Sequence, residues 1–62
     1  MLISRIERFL RENQMPWTKF GRLAVHDPRF VEDLRNGRSP RAYTTKRVEH
    51  FMNKYPESAH AV

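Results

Sequence analysis

Residues Asp27 to Arg47 read DPRFVEDLRNGRSPRAYTTKR, and this stretch decides the fold. Asp27 followed by Pro28 is a strong helix start: the carboxylate can accept orphan N–H groups of the first turn, and proline is preset for the first helical position. A helix is therefore expected from Pro28 to Asn36, with Val31 and Leu34 three apart on one face and Phe30 beside them. Gly37 then supplies the left-handed conformation that ends many helices, and Pro40 prevents continuation. Arg38 to Ala42 reads as a loop. Thr44 reads as the cap of a fourth helix, with Tyr43 and Val48 packed as a hydrophobic staple and with Val48, Phe51 and Met52 buried. From Arg35 to Arg47 the chain carries five basic residues and no acidic one.

Working outward, Leu2, Ile3, Ile6, Phe9 and Leu10 repeat with helical spacing, while Arg5, Glu7, Arg8, Arg11 and Glu12 fill the opposite face. A first helix from Leu2 to Asn13 is expected, ended by Asn13 and Gln14. Pro16 suits the start of a second helix running to Ala24, with Phe20 and Ala24 inward and Gly21 where another backbone comes close. Residues 56–62, PESAHAV, have no apolar period and are expected to form a flexible tail after a domain spanning residues 1–55. Short helices with tight connections make an all-α fold of four or five helices, held by mutual burial of their apolar faces.

The chain has 62 residues, 12 Lys plus Arg against 7 Asp plus Glu, and no cysteine. One domain is the sensible count, and its stability must come from core packing without disulfides or cysteine-bound zinc. The basic surplus favours polyanionic partners. Charges at Arg5, Glu7 and Arg8 interrupt the apolar run MLISRIERFL, so it suits neither a signal-peptide core nor a bilayer span, and a cytoplasmic location is expected. His26, His50 and His60 lack metal-binding spacing, and Ser4, Ser39 and Ser58 lack the context of a nucleophile. No enzyme, cofactor, small-molecule substrate or membrane association is expected.

The order of these residues resembles the lambda-repressor-like, Cro-type helix-turn-helix family over roughly Ile3 to Met52. Phe20-Gly21 resembles the family's large-apolar-then-small pair in the second helix. Val31 and Leu34 fall on the positions that anchor the third helix, and Asn36-Gly37-Arg38, continued by Ser39-Pro40, matches the turn after it. The family usually has glycine between its second and third helices and an apolar residue after it, where this chain has Val25 and His26. A β-branched residue is badly suited to positive φ, so this turn is expected to be wider or built differently. A fifth helix used for dimerisation in the family has no room after Tyr55, so no dimer contacts carry over.

What the resemblance implies is a sequence-specific regulator of double-stranded DNA, a repressor of phage-like or prokaryotic type associated with the nucleoid. It would act as a homodimer on a near-palindromic site, with the third helix in the major groove. On that geometry Pro28, Arg29, Phe30, Glu32 and Asp33 face base edges, Arg29 being suited to a guanine and Phe30 to a thymine methyl. An exposed Arg29–Asp33 ion pair is the alternative for those two residues. Phosphate contacts fall to Trp17, Thr18 and Lys19 at the start of the second helix, to Asn36, and to Arg35, Arg38, Arg41, Lys46 and Arg47. Asp27, Glu32 and Asp33 count against DNA. They motivate a second reading, an adaptor or antitoxin-like module of the same fold that binds a basic protein through its acidic third helix. A third, nonspecific RNA binding through the basic segment, rests on charge alone.

Overall fold

The four helices are α1 (Leu2–Asn13), α2 (Trp17–Val25), α3 (Phe30–Arg35) and α4 (Ala42–His60). In this computed structural model the backbone is described for residues 1–60 and side chains for residues 1–55. No strand occurs among the described residues, and no helix there is long and apolar enough to cross a membrane.

The amphipathic pattern of α1 becomes burial: Ile6, Phe9 and Leu10 enter the core, and Leu2 and Ile3 pack against it. Gln14 ends α1 in the left-handed region, at φ 50°, and the Met15 amide folds back onto the Leu10 carbonyl at 3.0 Å. This closing motif brings Met15 into the core, a position the helical period of α1 does not mark. Pro16, extended at ψ 144°, then caps α2, and its carbonyl accepts the Phe20 amide at 3.1 Å.

The core consists of Ile6, Phe9, Leu10, Met15, Phe20, Ala24, Phe30, Val31, Leu34 and Val48, with no buried polar or charged residue among the described side chains. Phe20 is its hub. Its ring meets Phe9 edge-on at 5.6 Å and Phe51 at 5.4 Å, so one side chain ties α2 to α1 and α4. Tyr55 extends the cluster against Phe9 and Phe51. α2 packs on both α3 and α4, and α1 on α3.

Three boundaries differ from expectation. α3 is shorter, because Pro28 and Arg29 form a turn instead of the first helical residues. α4 begins earlier: the Thr45 amide already bonds the Arg41 carbonyl at 2.9 Å, which puts Thr44 inside the first turn and not at the cap. Tyr43 is 69% exposed, so the expected staple with Val48 does not form. The helical backbone also continues through Pro56 to His60, into the stretch expected as a tail, while residues 61–62 lie outside the described residues. Proline lacks the N–H that the Met52 carbonyl would accept, a local loss that a helix anchored by Val48, Phe51 and Tyr55 tolerates here.

Candidate nucleic-acid interface

The site is built on the α2–α3 turn. Val25 is the last residue of α2, and the left-handed conformation falls on His26, at φ 58° and ψ 30°. Histidine accepts that region far more readily than a β-branched residue, which is how the turn forms without the family's glycine. The His26 amide bonds the Arg22 carbonyl at 3.1 Å and the Asp27 amide bonds the Gly21 carbonyl at 3.0 Å. The chain thus passes so close over α2 that a Cβ on Gly21 would collide with the Asp27 carbonyl. That is the close approach expected at Gly21.

Asp27 organises the next residues: its carboxylate accepts the Arg29 amide at 2.9 Å and its carbonyl accepts the Phe30 amide at 3.2 Å. Phe30, Val31 and Leu34 then turn inward. Phe30 is only 7% exposed and cannot reach a thymine methyl, a correction of its expected base-facing role. The spacing explains it, since Phe30 lies four residues before Leu34 and so shares its buried face. Pro28, Arg29 and Glu32 remain exposed at the amino-terminal end of α3.

Asp33 does not pair with Arg29. Its carboxylate accepts a 2.8 Å hydrogen bond from Arg38, across the turn in which Gly37 takes φ 97°. The Arg38 amide also bonds the Asp33 carbonyl at 3.0 Å, so the Asn36-Gly37-Arg38 turn is closed by backbone and side chain together. Asn36 is exposed beside it.

Arg35 is engaged within the fold. Its guanidinium makes two parallel hydrogen bonds to Glu7 of α1, at 2.8 and 2.7 Å, and lies 5.9 Å from the centre of the Trp17 ring. Those bonds hold the Glu7 carboxyl below its ordinary value of 4.5, against the opposing effect of partial burial, and raise Arg35 further. Arg35 thus joins α1, α3 and the start of α2, and a phosphate would have to compete with Glu7 for its guanidinium. Trp17, half-buried against the core, shares in that junction.

The remaining cations are arranged differently. Lys19, Arg22, Arg29, Arg41, Lys46 and Arg47 make no ion pair among the described residues. Thr18 and Lys19 are exposed at the start of α2, and Arg41 and Lys46 at the start of α4. Arg47 lies half-buried with its guanidinium 5.8 Å from the centre of the Tyr43 ring. Asp27, Arg38, Arg41 and Arg47 line one open cleft of about 370 Å³, together with Ser39 and Thr44. Three cations expected at phosphates, Arg38, Arg41 and Arg47, therefore meet Phe30 and Leu34 at this cleft, with Asp27 the one acidic residue in its lining. Compared with family models, curated proteins and solved structures, the chain has no significant match.

Leu23, His50 and Lys54 carry no signal in the helix-turn-helix pattern, yet they sit beside Lys46 and Arg47 between α2 and α4. No pattern singled Leu23 out: three residues after Phe20 it falls with the apolar stripe of α2, yet the fold leaves it 47% exposed.

Proposed function

We propose that this chain binds double-stranded DNA as a sequence-specific transcriptional regulator of the helix-turn-helix type. The observation that carries the reading is the tight α2–α3 turn, which leaves Arg29 exposed and without an ion pair at the amino-terminal end of α3. On this reading Pro28, Arg29 and Glu32 face base edges, and Arg29 selects a guanine. Thr18, Lys19, Asn36, Arg41, Lys46 and Arg47 follow phosphates, and Arg38 does so at the expense of its bond to Asp33. Two copies on a near-palindromic site, acting as a repressor, would supply the affinity that one short reading helix lacks. The acidic-helix reading loses support from the Asp33–Arg38 pair, which neutralises one of the carboxylates it needs.

Selection from random duplex DNA at two salt concentrations tests the proposal. Enrichment of a defined, near-symmetric sequence is expected. Arg29→Ala should flatten the preference, whereas Arg41→Ala should weaken all duplexes and lower the salt slope by about one unit. No enriched sequence at moderate salt, or equal consequences of the two substitutions, would sink the assignment.

A further inference from the structure

A groove of about 480 Å³ runs between α2 and α4, separate from the α2–α3 turn. Leu23, Ala24 and Phe51 contribute its apolar lining. Tyr43 stands at one end, and Lys46, Arg47, His50 and Lys54 supply its polar groups. Tyr43, Arg47, His50 and Lys54 follow one another at intervals of four, three and four, which places them in one stripe along α4 about 16 Å long.

Two observations single this groove out. Apart from Met1, the large hydrophobic side chains left exposed among the described residues are Leu23, at 47%, and Tyr43, at 69%, and both belong to it. No carboxylate lines it among the described residues. Glu49, on the same helix, is engaged elsewhere by a 2.7 Å ion pair with Arg5 of α1.

We infer that this groove docks an amphipathic helix of a partner protein, one with large apolar side chains on its inner face and Asp or Glu along the flanks. The apolar side chains would cover Leu23, Ala24 and Phe51, and the flanking acids would meet Lys46, Arg47 and Lys54. A stripe of about 16 Å accommodates two to three helical turns. A second copy of this chain is a poor occupant, because each copy carries a net charge of +5 and the two repel. A DNA backbone would satisfy the cations but leave the apolar lining wet. Lys46 and Arg47 are shared with the DNA proposal, but Leu23 has no role there, so a substitution at Leu23 separates the two.

The probe is a fluorescein-labelled synthetic helix of about 12 residues with Leu and Phe on one face and Glu on its flanks, titrated by anisotropy. Saturable binding is expected, weakened at least about tenfold by Leu23→Asp and by Lys46→Glu. Both positions are exposed, and circular dichroism checks that each variant keeps its helices. Leu23→Met should retain the affinity. A peptide of identical composition with the two residue classes scrambled should bind at least about tenfold more weakly. Equal binding of the scrambled peptide, no saturable binding, or an unchanged affinity of both folded variants would overturn the inference. So would a Leu23→Asp variant that lost duplex DNA to the same extent, or a wild-type dimer in sedimentation that Leu23→Asp dissolved.

Discussion

The two sides of this small bundle use charge in opposite ways. Where α1 meets α3 and α4, cations are spent on structure: Arg35 grips Glu7, Arg5 grips Glu49, and Arg38 closes the turn after α3 onto Asp33. Along α2 and the start of α4, Lys19, Arg22, Arg41, Lys46 and Arg47 have no ion-pair partner among the described residues. The lesson is that a basic residue's presence in a basic segment does not make it available. Arg35 and Arg47 lie at the two ends of the same acid-free run, yet one bridges helices and the other lines an open cleft.

The largest break in this comparison is expected from Gly21→Ala, which attacks the seam that holds α3 in place. Its Cβ must displace the Asp27 backbone, at a cost of roughly 2 to 3 kcal/mol for a side chain forced into packed structure. Urea melts should show a lower midpoint, and a midpoint unchanged from wild type would mean that the seam yields easily.

Arg35→Ala should cost roughly 1 to 1.5 kcal/mol, combining a screened bidentate ion pair with the contact to Trp17. Stability lost without any change in DNA affinity at low salt would place Arg35 firmly on the structural side. A weaker expected effect follows from pH. Because Arg35 lowers the Glu7 pKa on folding, the pair stabilises the fold above the ordinary value of 4.5, and that contribution disappears as the pH falls through the lowered value. Glu7→Gln should remove this part of the acid sensitivity, which melts between neutral pH and pH about 3 would detect.

The smallest effect on stability is expected from Lys46→Ala, within about 0.5 kcal/mol, as for an exposed side chain without a partner. The same substitution should lower the slope of log affinity for duplex DNA against log salt by about 0.9. A Lys46→Ala protein that melted like Arg35→Ala would erase the distinction between the two sides.

Much of the fold was legible in the chain. The apolar period of α1 placed its start and Asn13-Gln14 its end, Gly37 was marked as the left-handed stop of α3, and Gly21 as a site of backbone approach. These are short-range demands: a period of 3.6 residues, a missing Cβ, a cap. The candidate site was legible only as a set of cations. Phe30 shares a face with Leu34 by its spacing of four, and its burial depended on how that face packs in the bundle.

By itself the sequence determined the all-helical class, the succession of four helices and the basic character of the segment from Arg35 to Arg47, because each is a property of neighbours along the chain. Only the tertiary structure decided which charges remain to act. Glu7 and Arg35 are distant in sequence and become partners when α1 packs on α3, while Leu23 meets Phe51 and Lys46 only when α2 packs on α4. A side chain's availability is set by what packs against it, and packing joins segments whose proximity no local pattern records.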